Sequence, residues 1–275
     1  MENYASSFGW QWQHFRRTQL DSASGLSISA ERFWRQSGWQ AAELAGRRVL
    51  DVGCGAGRFA EVALASGATV VALDYSLAVD ACRQNLGPHP RLEVVQGDIY
   101  ALPLRPAAFD AVYCFGVLQH TPDVAQAFLA LPDMVRPGGC LAVDVYARRL
   151  VDLVQPKYWL RQVSCHMPPA SLFPLVYALC RLLLPVSTRT GQLPAIGHAL
   201  RSLWPIANYT GVYSLTATQL MEWSVLDTFD RLAPQYDQPQ TVQQVRRWFE
   251  LAGLDQIAVF RDGLVVGRGC KPGVI

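Results

Sequence analysis

The 275-residue sequence has few charged residues. They make up 17 % of the chain, against about 25 % in a typical globular protein, while apolar residues reach 51 %, which excludes an intrinsically disordered chain. The 24 basic and 22 acidic residues nearly cancel, to a net charge of +2. Without an excess of positive charge to bind a phosphate backbone, no nucleic-acid partner is expected. The length suits one large α/β domain or two small ones.

The sequence also lacks paired cysteines and targeting signals. Its seven cysteines are scattered singly, with no CxxC pair and an odd total, which argues against a disulfide framework and against a zinc site. A reducing, cytoplasmic location is therefore expected. The N-terminal residues show no apolar segment typical of a signal peptide. The most apolar stretch, 172–186, contains Arg181 and two prolines and is shorter than the roughly 20 residues of a membrane span, so no transmembrane segment is expected.

Between residues 47 and 146, short β-branched runs alternate with helical stretches. This alternation is typical of parallel strands joined by right-handed crossover helices, a Rossmann-like α/β fold. Pro137, Gly138 and Gly139 are expected to form the turn into the fifth strand. We predict strands over 47–52, 69–73, 92–96, 111–115 and 140–145, and helices over 58–66, 77–86 and 124–131.

The rest of the chain divides into three parts. Residues 1–45 predict a helical, aromatic cap, in which Ser29 is a candidate helix cap. Residues 148–239 are rich in proline between short apolar runs and predict an insertion of short helices. A helix over 241–252 and a hairpin around Arg261, Asp262 and Gly263 then return to the sheet, where 264–268 would add an antiparallel strand. Residues 46–147 and 240–275 are thus expected to form one domain.

Glycines cluster directly after the first predicted strand, in the segment LDVGCGAGRF. Gly53, Gly55 and Gly57 let the backbone approach a ligand closely, and the N-terminus of the next helix offers free N–H groups. A dinucleotide fingerprint would need glycine at the position of Arg58, so a pyrophosphate, and with it an NAD-dependent oxidoreductase, is disfavoured. Arg58 itself is expected at the surface.

Aspartates end three successive predicted strands. Asp74 is placed to accept hydrogen bonds from ribose hydroxyls, and Asp98 from the exocyclic amine of adenine, with Ile99 against the ring. Asp51 either contacts the ligand or orients the glycine loop by bonding its amides. These acids predict a nucleoside ligand in one crevice.

Five motifs between residues 46 and 146 resemble those of the class I S-adenosylmethionine-dependent methyltransferases, in the group that includes the ubiquinone-biosynthesis type: LDVGCGAGRF, VVALDYS, GDIYALPL, FDAVYCFGVLQHTPD and MVRPGGCLAV. The resemblance implies S-adenosylmethionine as cofactor, S-adenosylhomocysteine as product, and a seven-stranded sheet of order 3-2-1-4-5-7-6 with an antiparallel seventh strand. The cofactor-binding residues expected on this basis are Asp51, Gly53, Gly55, Gly57, Asp74, Tyr75, Asp98, Ile99 and Phe115.

Methyl transfer requires an aligned nucleophile and, for a hydroxyl or an activated carbon, a base. His120, after the fourth predicted strand, is the leading candidate for the base, with Gln119 and Tyr113 behind it. A structural histidine is the alternative. No acids are arranged as in a metal-dependent O-methyltransferase, so metal independence is expected.

The expected substrate-binding residues come from three regions: Trp12, Gln119, Tyr209, Asp227 and Tyr236. The aromatic N-terminal segment is expected to fold over the cofactor crevice or simply to pack on the domain. Asp227 and Asp230, three apart, could share one helix face, or form salt bridges. The apolar insertion could be a lid over a small molecule, a homodimer face or a peripheral membrane contact. His166 and His198 are expected to be structural or exposed.

These inferences predict a methyltransferase that modifies an apolar or aromatic small molecule, in natural-product or isoprenoid and quinone-like metabolism. Oxygen is the preferred acceptor, carbon next and nitrogen third. The alternative is a protein that binds S-adenosylmethionine but catalyses a rearrangement or cyclisation, or acts as a scaffold. Release of S-adenosylhomocysteine would distinguish the two.

Overall fold

The computed structural model describes residues 4–149, 155–193, 197 and 203–273. The helices are α1 Ser6–His14, α2 Asp21–Ser24, α3 Ile28–Ser37, α4 Ala41–Leu44, α5 Arg58–Ala65, α6 Ala78–Leu86, α7 Val124–Leu129, α8 Pro156–Ser164, α9 Pro169–Gly191, α10 Ala217–Leu232 and α11 Val242–Leu251, with 3₁₀ turns at Leu118–His120 and Pro132–Met134. The strands are β1 Arg48–Val52, β2 Thr69–Asp74, β3 Leu92–Gln96, β4 Phe109–Cys114, β5 Val135–Val145, β6 Asp255–Asp262 and β7 Leu264–Cys270.

The seven strands form one sheet of order β3-β2-β1-β4-β5-β7-β6, which confirms the expected topology. β1 to β5 pair in parallel, and β7 lies antiparallel between β5 and β6. Gly263 makes the turn between β6 and β7 with a φ of 70°, in the left-handed region that glycine adopts freely. The predicted hairpin is confirmed.

The side chains of neighbouring residues of β1 lie on opposite faces of the sheet. Leu50 belongs to a core with Phe128 and Phe249, whereas Val49 belongs to a second core with Phe33 and Phe59. Because side chains alternate along a strand, a continuous apolar run is buried on both sides by helices. The carboxyl ends of the parallel strands are thereby held at one edge, where the polar residues gather.

The predicted turn at residues 137–139 is wrong, because β5 runs through it. Val135 already pairs with Phe109, and after a shift in register Cys140 pairs with Ala111. The intervening residues bulge from the strand, and Gly138 takes a φ of 75°. Backbone hydrogen bonds tie the bulge to the end of the sheet, from Gly138 N–H to the carbonyl of Lys271 and from Lys271 N–H to that of Gly139.

One pair of cysteines is joined, although the spacing argued against a disulfide framework. Cys140 and Cys270 lie directly opposite each other on β5 and β7, with Cα atoms 4.0 Å apart, and form a disulfide. The other five cysteines are free. Sequence spacing could not reveal the pair, because 130 residues separate two cysteines that only the sheet brings together.

The N-terminal helices pack on the sheet domain. Ser29 does not cap a helix, since α3 begins one residue earlier, at Ile28. The hydroxyl of Ser29 donates to the carbonyl of Gln19 at 2.7 Å. The helix instead donates two backbone hydrogen bonds, from the N–H groups of Ser29 and Ala30, to the carboxylate of Asp21. The start of α3 is therefore capped by the first residue of α2.

The insertion contains a long helix where short ones were expected. α9 has 23 residues and includes Pro174 and Pro185. Its inner stripe, Leu172, Val176, Cys180 and Leu184, packs on α10 in a third apolar core, which outweighs the backbone hydrogen bonds that proline removes. By length and composition alone α9 is a candidate membrane span, with a mean hydropathy of 1.6. His198 lies outside the described residues.

Candidate active site

A cavity of about 450 Å³ opens at the carboxyl ends of the parallel strands. Its walls come from the glycine loop, from the N-terminal helix α1, from the residues after β2, β3, β4 and β5, and from the insertion. This is the position where ligands bind in open α/β sheets. The cavity is therefore the candidate site for a cofactor and a substrate together.

The glycine loop can be built only from glycine at two of its positions. Gly53 has a φ of 83°, and a Cβ there would lie 2.2 Å from the side chain of Val117. Gly55 has a φ of 52°, and a Cβ there would lie 3.0 Å from the indole nitrogen of Trp12. Both line the cavity, whereas Gly57 does not and instead precedes the first turn of α5.

Asp74 anchors this loop from the end of β2. One carboxylate oxygen accepts from the N–H of Gly55 at 3.0 Å, and the other accepts from the N–H and the hydroxyl of Ser76 at 2.8 and 2.7 Å. Burial raises the pKa of Asp74, and the hydrogen bonds from Ser76 and Gly55 oppose that rise. Asp74 lines the cavity, as does Tyr75. A carboxylate has lone pairs for further donors, so ribose hydroxyls suit it.

Asp51 lies behind the loop. It is buried and does not line the cavity, and its Oδ2 has no hydrogen-bond partner within the part of the chain that the structure describes. The expectation that it bonds the loop amides is wrong, because the N–H groups of Gly53 and Cys54 donate to the carbonyl of Leu73. Burial raises the pKa of Asp51 to about 8, with the nearby Tyr113 hydroxyl acting in the opposite direction. At neutral pH Asp51 is therefore largely protonated.

The end of β3 presents apolar surface to the cavity. Gly97 and Ile99 line it, whereas the carboxylate of Asp98 accepts from the N–H of Tyr100 at 3.0 Å and does not line it. Tyr4 lies close by, stacked on Tyr75 with ring centroids 5.2 Å apart. A role for Asp98 toward adenine stays a prediction. Ile99 is positioned as expected.

The aromatic N-terminal helix covers the opening. Trp12 and Phe8 line the cavity, and the ring of Phe8 lies 5.0 Å from that of His120. Phe115, after β4, lines the cavity from below. This arrangement agrees with the expectation that the segment folds over the crevice, and it makes the cavity a place from which water can be excluded.

His120 is held in one tautomer by a backbone carbonyl. Its Nδ1 lies 2.9 Å from the carbonyl oxygen of Tyr236, and because a carbonyl only accepts, Nδ1 carries the proton. In the neutral imidazole Nε2 therefore carries the lone pair. Among the described residues Nε2 has no hydrogen-bond partner, and it is buried 3.9 Å from Oδ2 of Asp230. His120 lines the cavity, so this lone pair is the available base.

Asp227 and Asp230 share the face of α10 that lines the cavity, as their spacing allowed. Asp230 accepts from Gln11 at 3.2 Å and from the hydroxyl of Tyr146 at 2.9 Å. Asp227 accepts from Gln19 at 3.2 Å and also from the hydroxyl of Tyr209. Burial raises the pKa of Asp227.

Arg58 faces the cavity, so the expectation of a surface position is wrong. Its guanidinium donates to Gln19 and, at 3.2 Å, to the hydroxyl of Ser29, and it lies 4.6 Å from the ring centroid of Phe59. Burial lowers its pKa to about 10, and the nearby Arg32 adds to that effect. The first turn of α5 thus points into the protein because α2 and α3 cover it.

Two expected substrate residues do not line the cavity. Gln119 is fully buried, and its side-chain amide has no partner among the described residues. Tyr236 acts through its backbone carbonyl on His120. Trp12, Tyr209 and Asp227 do line the cavity.

Sequence reasoning missed several cavity residues. Gln11 and Tyr146 contact Asp230, and Arg32 forms an ion pair of 2.7 Å with Asp144. Asp144 carried a signal, because an acid inside the apolar run LAVDV must be paired when it is buried. Gln11 carried none. Within the ranges that the structure describes, no group of three or more His, Cys, Asp or Glu could hold a metal ion, and metal independence stays a prediction.

Comparison with known proteins shows what the glycine loop and the strands around it are similar to. The family described as Methyltransferase domain matches residues 50–143. A ubiquinone biosynthesis O-methyltransferase of Thiobacillus denitrificans is 42 % identical over 102 residues, which cover 36 % of this chain and 44 % of that protein. The chain contains a class I S-adenosylmethionine-dependent methyltransferase domain.

Other relatives agree with this methyltransferase domain. The mitochondrial ubiquinone biosynthesis O-methyltransferase of Schizosaccharomyces pombe is 29 % identical over 148 residues, which cover 52 % of each chain. The solved structure of an O-methyltransferase family protein from Burkholderia thailandensis shares the fold, with a TM-score of 0.53 and 14 % identity, over 90 % of this chain and 57 % of that one. The chain spans about half the length of the curated relatives it matches.

The cofactor of the methyltransferase domain is S-adenosylmethionine, and the residues present fit it. Gly53 and Gly55 form a cradle that any Cβ would fill, and Asp74 supplies a carboxylate at the edge of the same cavity. Tyr75 and Ile99 provide apolar surface for a flat ring. That the glycine loop holds the methionine part, Asp74 the ribose and Ile99 the adenine stays a prediction, with which these positions are compatible.

Proposed function

We propose that this protein methylates a hydroxyl oxygen of a small molecule that has an apolar or aromatic body. The observation that carries the proposal is the free lone pair of His120 Nε2, buried in the same cavity as the glycine loop. Carbon is the next acceptor in preference and nitrogen the third. The names of the curated relatives, which are O-methyltransferases, support the choice of oxygen.

His120 has the geometry of a general base. When bound, S-adenosylmethionine supplies a methyl group attached to a positively charged sulfur, and the remainder of the molecule is released as neutral S-adenosylhomocysteine. The acceptor hydroxyl donates its proton to Nε2 of His120, while Nδ1 stays bonded to the carbonyl of Tyr236. The resulting imidazolium lies beside the carboxylate of Asp230, 3.9 Å away, which stabilises the positive charge.

The walls beyond the glycine loop indicate the substrate class. Tyr146, Tyr158, Trp204 and Tyr209 line this part of the cavity and offer flat apolar surface. His120 and the acids of α10 supply polar atoms to the same cavity, as do Arg149, Lys157 and Arg231. A substrate with an aromatic body and one reacting hydroxyl satisfies both parts, and we propose that it belongs to natural-product or isoprenoid and quinone-like metabolism. A cytoplasmic location and metal independence belong to the same proposal.

The test is release of S-adenosylhomocysteine during incubation with S-adenosylmethionine and a panel of hydroxylated aromatic and isoprenoid compounds. We expect release that depends on the acceptor, a methyl ether identified by NMR, and no effect of a chelator. A product methylated on carbon or nitrogen would contradict the assignment to oxygen. Calorimetric binding of S-adenosylmethionine without release over the whole panel would contradict methyl transfer and favour a rearrangement or a scaffold role.

A further inference from the structure

Helix α8 buries Arg161 and Ser164 and exposes Trp159, Leu160 and Val163 together with Gln162. Arg161 donates to the carbonyls of Arg231 and Pro234, at 2.9 and 2.8 Å, just where α10 ends. Ser164 is buried beside Arg161. On the other side, Trp159 and Val163 are 65 % and 68 % exposed. A helix that faces water normally has the opposite arrangement, so the outer side of α8 is not suited to contact with water.

Helix α9 continues this pattern. Its inner stripe packs on α10, while Leu175, Leu182 and Val186 are 56 %, 71 % and 42 % exposed. These three residues are spaced by seven and four positions, so they lie along one side of the helix. Arg181 and Arg189 are exposed with them. We call the outward residues Trp159, Val163, Leu175, Arg181, Leu182, Val186 and Arg189 the α8–α9 face.

The charge of this region has one sign. Residues 155–193 contain Lys157, Arg161, Arg181 and Arg189 and no aspartate or glutamate. Lys157 and Arg161 are turned inward, with Lys157 paired to Asp237 at 2.9 Å. The outward charge is therefore carried by Arg181 and Arg189, whose long side chains can lie along apolar surface and keep their charge in a polar layer.

We propose that the α8–α9 face binds peripherally to the anionic surface of a lipid bilayer. Helices that lie flat in a membrane interface expose tryptophan and leucine beside arginine, and the α8–α9 face exposes Trp159 on α8 and Leu182 beside Arg181 on α9. A second copy of the chain fits less well. A two-fold interface would place this face against itself, and a face with arginines and no acids offers itself no opposite charge.

The face adjoins the cavity. Tyr158 and Lys157 of α8 line the cavity, and the next residue, Trp159, is on the outer face. If the proposed function holds, an apolar acceptor dissolved in the bilayer reaches the site beside α8 without crossing water. This consequence rests on the proposed function, whereas membrane binding does not.

Sedimentation of the full chain with sucrose-loaded vesicles tests the proposal. We expect binding to phosphatidylcholine vesicles that contain phosphatidylglycerol, and weaker binding to phosphatidylcholine alone. Leu182→Gln should lower the partition coefficient about tenfold, because the inserted leucine is lost. Arg181→Gln should lower the preference for phosphatidylglycerol about fivefold. Leu251→Gln is the matched control, since Leu251 is 65 % exposed on α11, away from the face, and should change nothing.

Three results would overturn the proposal. One is an absence of binding to either vesicle. Another is an equal effect of Leu182→Gln and Leu251→Gln. The third is a dimer in light scattering that Leu182→Gln converts to a monomer, which would assign the face to a second copy. Calorimetric titration with S-adenosylmethionine shows that each variant is folded. Release of S-adenosylhomocysteine from a water-soluble acceptor, without vesicles, tests the proposed function separately.

Discussion

Gln11 donates a hydrogen bond of 3.2 Å to Asp230, although 219 residues separate the two. The bond joins the N-terminal helix to α10 across the cavity, and a second glutamine, Gln19, makes the equivalent bond to Asp227. The cover over the active site is thus held by the same acids that line its interior. Closure of the cavity and the arrangement of its polar groups are consequently coupled.

Gln11→Leu should loosen this cover. Removing one hydrogen bond to the partly buried carboxylate of Asp230 is expected to lower the free energy of unfolding by about 1 to 2 kcal/mol, as measured by urea titration. Gln13→Leu, on the exposed side of the same helix, is the control and should be nearly neutral. Equal effects of the two substitutions would show that the bond to Asp230 does not stabilise the fold.

Asp74→Ala should weaken binding of S-adenosylmethionine. The substitution removes the expected acceptor for the ribose and also the anchor of the Gly55 amide, so we expect at least about a tenfold increase in Kd by calorimetry. Asp80→Ala, which removes a half-exposed aspartate that pairs with Arg83, is the control. An unchanged Kd for Asp74→Ala would remove the ribose role.

His120→Gln should reduce turnover without weakening cofactor binding. Loss of a general base typically lowers the rate about 10² to 10⁴-fold, here followed as S-adenosylhomocysteine release. His89→Gln, in the loop between α6 and β3, provides a matched histidine control. Parallel losses of cofactor binding and turnover in His120→Gln would give His120 a structural role in place of a catalytic one.

Asp51 should make stability fall as pH rises. Its pKa is about 8 in the folded protein, well above that of an exposed aspartate. The folded state therefore keeps a proton that the unfolded chain releases, and stability is lost between about pH 4 and pH 8, by at most about 1.4 kcal/mol per pH unit. Asp51→Asn replaces the carboxyl group that titrates. The free energy of unfolding of this variant minus that of the parent protein should therefore rise from pH 5 to pH 8. Parallel curves would mean that Asp51 is ionised in the fold.

The sheet and the cofactor half of the site could be read from local sequence. Each predicted strand overlaps an observed one, because β-branched runs and glycine turns act over a few residues. The order of the strands came with the family resemblance. Gly55, Asp74 and Ile99 line the cavity because they lie at or just after the carboxyl ends of parallel strands, and these ends share one edge of the sheet.

The interior of the site could not be read in this way. Arg58 was expected at the surface, and it faces inward only because α2 and α3 pack over the first turn of α5. The 23-residue helix α9 contains two prolines that suggested breaks, and its packing on α10 overrides them. In both cases a contact between distant segments outweighs a local preference.

Strand positions, the glycine loop and the place of Asp74 at the cavity follow from the sequence, since each depends on neighbours a few residues away. The tautomer of His120, the glutamine bonds to Asp227 and Asp230, and the Cys140–Cys270 disulfide depend on atoms brought together across 100 or more residues. Only the folded chain places such partners within hydrogen-bonding or bonding distance, and no pattern of spacing records that distance.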